Sequence, residues 1–154
     1  MSPLLAVVFS CLAAPPPAPP PGAAAERAKL LVEAVRKDQP ELATPFFYPR
    51  GEFPKVKAIK DPDGYFQHLM KVYLGDVKLM RKSLAHPDRV EFVSFQLSGA
   101  RRWVERGKEA NRQPYWAAYK STVTVKDGDR QVRLPVRVMI SWNGEWYVTH
   151  LTRK

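Results

Sequence analysis

With 154 residues, the chain has room for one ordinary domain and a short appendage, which excludes two globular units and any membrane-channel architecture. At 45% hydrophobic and 11% aromatic, with only 8 Gly, it can bury a core and is not globally disordered. Its 25 Lys and Arg outnumber 15 Asp and Glu, a formal net charge of +10 that favours anionic partners such as nucleic acid, lipid head groups or cell-envelope polyanions. Spread along the chain without a dense run, the same charges also read as a solubilising surface.

Residues 1–14 (MSPLLAVVFSCLAA) hold an uncharged apolar run from Leu4 to Leu12. It is too short to cross a bilayer and has the length of a signal-peptide hydrophobic region. PPPAPPPG follows; it lacks donors and cannot build a core, so it reads as an extended polyproline spacer. Ala23-Ala24-Ala25 then fits a small-residue cleavage site, with the mature chain starting at Glu26, the first charged residue. Val8-Phe9-Ser10-Cys11 loosely resembles the lipobox of bacterial lipoproteins, in which the cysteine becomes the lipidated first residue. Ser10 fits that pattern and the bulky Phe9 departs from it. No Lys or Arg precedes Arg27, so a non-exported tail stays open beside the two processing routes. Residues 1–25 are thus expected to be a signal- or lipoprotein-like segment plus a Pro/Ala-rich linker, and 26–154 a single domain. On either route the protein is exported, periplasmic or envelope-associated, with membrane contact only through a lipid on Cys11. Export removes chromosomal DNA as a partner. Cys11 is the single cysteine, so no internal disulfide and no cysteine-based zinc site can form.

Glu26 to Lys37 places Leu30, Leu31, Ala34 and Val35 on one helical stripe, and Asp38-Gln39-Pro40 stops it. Glu41 to Thr44 can add a short turn before Pro45 and the aromatic cluster Phe46-Phe47-Tyr48. A loop rich in Pro and Lys follows over 49–60. The next helix is predicted from Pro62 to Leu84, capped by Asp61 or Asp63, with Phe66, Leu69, Met70, Tyr73, Val77, Met80 and Leu84 at spacings of three and four. Arg81 and Lys82 suit its C-terminal dipole, and His86-Pro87 ends it.

From there the period switches to two. Val90 to Leu97, Arg101 to Glu105, Tyr115 to Lys126, Gln131 to Trp142 and Glu145 to Leu151 are candidate strands. Asp127-Gly128 and Asn143-Gly144 are two-residue hairpin signals. The first turn pairs Val123 with Val132, Tyr119 with Val136, Ala117 with Val138 and Tyr115 with Ile140. The second pairs Ile140 with Tyr147, Val138 with Thr149 and Val136 with Leu151. Opposed residues share a face, so both registers put one apolar set on one side. Pro135 implies a bulge or an unpaired position.

The expected fold is α+β, with N-terminal helices packed on a curved antiparallel meander. The element order and the ending SWNGEWYVTHL resemble the nuclear transport factor 2-like superfamily, over about residues 26 to 154. That resemblance implies a cystatin-like cone, a bent sheet wrapped around helices. The superfamily includes isomerases, dehydratases and binding subunits, so the fold alone does not assign a function.

A pocket between helices and sheet would be lined by Tyr65, His68, Tyr73, Trp103, Tyr115 and Tyr119. The resemblance implies an Asp or His acting as acid–base there, with a Tyr donating to an oxyanion; His68, Asp76 and Tyr73 are the groups on hand. The core-facing strand positions carry no Asp, Glu or His, and aromatic core packing is the plainer reading. His68, His86 and His150 lie on separate elements, so no metal site is expected, and no phosphate loop or nucleophile elbow points to a cofactor. On the other sheet face, Trp116, Met139 and Val148 form a row with Trp146 opposite Ser141. Further along that face lie Lys120, Thr122, Thr124, Arg133 and Arg137, with Arg137 opposite His150. An apolar, Trp-bearing patch grading into a basic one reads as an interface, or as a face covered by the loop 106–114. Without a recognised motif, nucleic-acid binding along the basic stripe is disfavoured. The expected function is an exported, non-catalytic binding or interaction module, homodimeric or partnered through that outer face. The alternative is a small enzyme of isomerase or dehydratase type acting on an apolar ligand, with His68 or Asp76 as base.

Overall fold

In the computed structural model, which describes residues 13–152, the first helix starts two residues before the expected boundary. α1 (Ala24–Lys37) buries Ala24, Ala28, Leu31, Val32, Ala34 and Val35. Leu30, placed on the apolar stripe by its spacing, is exposed instead. The Pro21-Gly22-Ala23 turn leads into α1, the Ala24 N–H donating to the Pro21 carbonyl (3.1 Å). The helix ends at Asp38 in the left-handed conformation (φ 54°), where short polar side chains are tolerated. The apolar run to Leu12, with Cys11, lies outside the described residues.

A 3₁₀ helix (Pro40–Phe46) delivers Phe46, Phe47 and Tyr48 to the interior, all buried. Phe47 bridges Val148, and the Tyr48 N–H donates to the Val148 carbonyl (3.0 Å), tying this segment to the last strand. The short α2 (Phe53–Val56) buries Phe53 and Val56. α3 (Pro62–Ser83) starts as its sequence implies: Pro62 opens it, and the Asp61 carboxylate accepts the Gly64 N–H (3.0 Å). Its buried stripe is Phe66, Leu69, Tyr73, Asp76, Val77 and Met80. Near its end Arg81 donates to the Val35 and Arg36 carbonyls, so a cation of α3 satisfies the last turn of α1.

The strands are β1 (Glu91–Gln96), β2 (Arg101–Val104), β3 (Tyr115–Asp127), β4 (Arg130–Trp142) and β5 (Glu145–His150). They form one open antiparallel sheet in the order β1–β3–β4–β5, with β2 also paired to β3. The architecture is therefore α+β, with helices packed against a five-stranded sheet.

The first hairpin turns one residue later than expected. Asp127 pairs with Arg130, so the loop is Gly128-Asp129 rather than Asp127-Gly128. Gly128 has φ 63° and Asp129 is not at positive φ, the sign pattern of a type II′ turn. Asp127 stays in the strand because its carboxylate accepts the N–H groups of Ala85 and His86, each at 2.7 Å. Every expected β3–β4 pair is displaced by two: Val123 faces Leu134, Ser121 faces Val136, Tyr119 faces Val138 and Ala117 faces Ile140. A displacement of two preserves the side-chain face, so the inner apolar set survives the correction.

The second hairpin keeps its expected turn, with Asn143 at φ 49° and Gly144 at φ 77° and Ile140 opposite Tyr147. Its register then breaks. Between Val138 and Met139 a bulge sets Val138 opposite His150 rather than Thr149, and the Arg137 N–H meets the Leu151 carbonyl (2.8 Å) in place of Val136 pairing with Leu151. Pro135 faces Thr122 without a bulge of its own, beyond the last β5 pair.

Candidate functional site

A cavity of about 220 Å³ opens between α2, the start of α3 and the inner sheet face. Its apolar side is built by Phe53, Tyr65 and Leu69 from the helices and by Ala117, Val138 and Ile140 from β3 and β4. Lys57, Glu109, Tyr115, Tyr119, Thr149 and His150 supply the polar side. The pocket is smaller than the ~300–1,000 Å³ typical for drug-sized ligands but mostly apolar with a few convergent polar groups, the usual composition of a binding site.

The polar wall is one connected network. Lys57 Nζ donates to Tyr115 Oη (2.9 Å) and to the Glu109 carbonyl (3.2 Å), and lies 5.1 Å from the centroid of the Tyr115 ring. Tyr115 Oη donates to Glu109 Oε2 (2.8 Å). The other carboxylate oxygen of Glu109 pairs with Arg102, which also donates to Tyr119 Oη (3.2 Å). Burial pushes the Lys57 ammonium below its ordinary range against the pull of Glu109. Burial, then the bond to Glu109, pushes the Tyr115 phenol up, so it stays protonated at neutral pH.

Backbone contacts distant in sequence hold Lys57 in place. The Ala58 N–H donates to the Ala110 carbonyl (2.7 Å) and the Arg112 N–H to the Val56 carbonyl (2.6 Å), joining the exit of α2 to the loop after β2. Inside that loop the buried Asn111 donates to the Glu105 (3.1 Å) and Gln113 (2.8 Å) carbonyls and accepts the Glu109 N–H (3.0 Å). Loop 106–114 therefore contributes Glu109 to the cavity wall.

His150 enters the cavity because of the β4–β5 bulge. Regular pairing would have kept it opposite Arg137 on the outer face; one extra residue turns it over to join Val138. Burial, then the charges of Arg137 and Lys57, lower its pKa, with Asp76 opposing. The unfolded chain therefore binds a proton before the folded one does as pH falls. Stability is expected to decline as pH drops below 6.5 towards the lowered His150 pKa. His150→Gln should flatten that part of a denaturation-versus-pH profile; an unchanged slope would show that His150 does not cause it.

Of the residues expected to line the pocket, Tyr65, Tyr115 and Tyr119 do so. His68 is exposed, off the buried stripe of α3. Tyr73 is buried elsewhere, its hydroxyl donating to the Ala43 carbonyl (2.8 Å) and its ring against Phe47. Trp103 pairs across from Trp116 on the outer face, ring centroids 5.6 Å apart. Asp76 falls on the buried stripe and accepts the Thr152 N–H (3.0 Å), where it fixes the chain beyond β5. The proposed base and phenol set His68, Asp76 and Tyr73 is thus not assembled around the cavity. Sequence reading passed over Lys57 and Glu109, which sit in loops with no periodic signal, and a bulge that no residue of β4 or β5 announces.

The outer face is also not the open patch its register implied. Met139, Trp146 and Val148 are each at 0% exposure, while Trp116 and Arg137 are half-buried. The polyproline segment lies on this face instead of acting as a free spacer: Trp116 Nε1 donates to the Pro16 carbonyl (2.9 Å) and Trp146 Nε1 to the Pro19 carbonyl (3.0 Å). The Ala23 N–H and the Arg27 guanidinium both meet the Glu145 carboxylate where the arm joins α1. Among the described residues no three His, Cys, Asp or Glu side chains gather as a metal site would require.

Compared with protein-family models, with curated proteins and with solved structures, the chain has no match.

Proposed function

We propose that this chain is a non-catalytic binding module that takes a small amphipathic carboxylate into the cavity between α2, α3 and the sheet. The observation that carries this reading is the charge of the polar wall. The one carboxylate at this wall, that of Glu109, is paired with Arg102, while Lys57 donates to Tyr115 Oη and the Glu109 backbone carbonyl, which leaves an excess of positive charge next to apolar surface. A carboxylate head at that wall and an apolar body over Ala117, Val138 and Ile140 would satisfy both halves. The left-handed backbone at Lys120 (φ 63°) and the extra residue of β5 at the β4–β5 bulge support a cone of the nuclear transport factor 2-like type, since irregularities of this kind bend strands.

Octanoate and phenylacetate titrated into the wild type and Lys57→Met test the reading. The variant should bind at least about ten-fold more weakly, the scale of one lost charge-assisted hydrogen bond. Wild-type affinity should also fall as pH rises through the lowered Lys57 pKa, below the ordinary 10.5. Equal affinity in the two proteins would remove the carboxylate reading. An enzyme of isomerase or dehydratase type is the second reading. One observation favours it: the neutral phenol of Tyr115 and the half-buried His150 line the same apolar chamber. Because the Tyr115 proton is already directed at Glu109, binding is preferred.

The same proposal places the module outside the cytoplasm, held by a lipid on Cys11. In support, cleavage after Ala25 would remove the fully buried Ala24 and the two proline carbonyls that Trp116 and Trp146 use, whereas processing at Cys11 keeps them. Intact-mass analysis of the membrane fraction should show acylated Cys11 at the N-terminus; a mature chain beginning at Glu26 would refute the anchor.

A further inference from the structure

We propose that the outer sheet face is a docking surface for polyproline II segments, occupied within the molecule by residues 15–21 and open to a proline-rich segment of a partner protein that displaces them. Six of those seven residues are proline. Each proline fixes φ near −65° and pushes the residue before it into extended conformation. The result is a helix of three residues per turn with no internal hydrogen bonds, whose carbonyls look outward for donors.

The face supplies donors at that period. Pro16 and Pro19 are three residues apart, so their carbonyls point the same way, and Trp116 and Trp146 donate one indole N–H to each. Around them the ring of Trp103 packs on Trp116 and the Arg101 guanidinium stands 5.9 Å over Trp146. Aromatic rings that flank a groove and donate to proline carbonyls are the recognition chemistry of proline-rich ligands.

The contact is narrow. Ala18 and Pro19 are half-buried, while Pro15, Pro16, Pro17, Pro20 and Pro21 are exposed. What holds so slight a contact closed is the tether: Gly22, at φ 56°, joins the arm to α1, and a short tether raises the local concentration of its ligand. A partner segment that places further side chains beside Trp103 and Arg101 gains contacts the arm lacks. Met139, Trp146 and Val148 stay covered throughout, because one polyproline helix replaces another.

The test uses the full-length protein and capped PPPAPPPG peptide, followed by the indole N–H resonances of Trp116 and Trp146. Pro16→Gly with Pro19→Gly loosens the arm but keeps both carbonyls. The peptide should shift both resonances and bind this variant at least about ten-fold more tightly than the wild type, where the tethered arm competes. A folded variant whose indole signals ignore the peptide, or equal affinity in both proteins, would overturn the proposal. Trp116→Phe in the wild type, which removes one half-buried donor, gives an independent reading. Cleavage of the arm by a proline-specific protease should speed up several-fold; unchanged cleavage also overturns it. Doubling of the mass in light scattering, with signals insensitive to peptide, would assign the face to arm exchange between two copies and refute a separate partner.

Discussion

Replacing Trp146 with alanine is expected to lower the unfolding free energy by about 3–5 kcal/mol, the range for removing a fully buried Trp or Phe. Its side chain is at 0% exposure between β5 and the proline arm, with Met139 and Val148 equally enclosed beside it. The loss combines apolar area, an unfilled space and the indole bond to Pro19. For a chain of this size the melting temperature should fall by roughly 6–20 °C. Trp116→Ala makes the contrast: its indole also bonds the arm, but the side chain is half-buried and should cost less. Urea denaturation of both variants checks the ordering. A Trp146 effect below about 1 kcal/mol, the scale of a surface change, would place that residue outside the core.

Asp127→Ala should be the second large loss, about 2–5 kcal/mol, although the side chain it removes is polar. Its two carboxylate oxygens accept the Ala85 and His86 N–H groups at 2.7 Å each, and its side chain is 6% exposed. Truncation removes two charge-assisted hydrogen bonds where α3 hands over to the strands, at roughly 1–2.5 kcal/mol each because Ala85 and His86 are themselves exposed. Asp127→Asn keeps one acceptor oxygen and should lie between the wild type and alanine. Amide exchange at residues 85 and 86 should accelerate in the alanine variant. Wild-type protection there would show that the carboxylate does not hold this junction.

Both positions had a different role when read along the chain. Asp127 looked like the first residue of a tight turn, because Asp-Gly between alternating strands is a hairpin signal, and its two acceptors matter only once α3 ends beside it. Trp146 looked like an exposed contact residue, since parity placed it on the outer face and its cover lies far upstream. The turn error was harmless to the core, as moving a two-residue loop by one changes each partner by two. The bulge at Val138 was not harmless, because a single extra residue reverses the face of His150.

The signals legible in the sequence were those carried by neighbours. The stripe of α3 repeats every three or four residues, the strands alternate every second, and Asn143-Gly144 reverses the chain by backbone preference alone. These determine the α+β class, the helix that faces inward and the apolar side of the meander, because burial acts on each segment through its own period. The same patterns put Tyr65, Tyr115 and Tyr119 in the cavity, but the contacts that complete each site join segments far apart. Lys57 meets Tyr115 across 58 residues, Trp116 meets Pro16 across 100, and Trp146 meets Pro19 across 127. Such pairings leave no period behind. A donor and an acceptor become partners only when the fold removes water from between them, and so tertiary structure alone decided the cavity wall and the covering of the outer face.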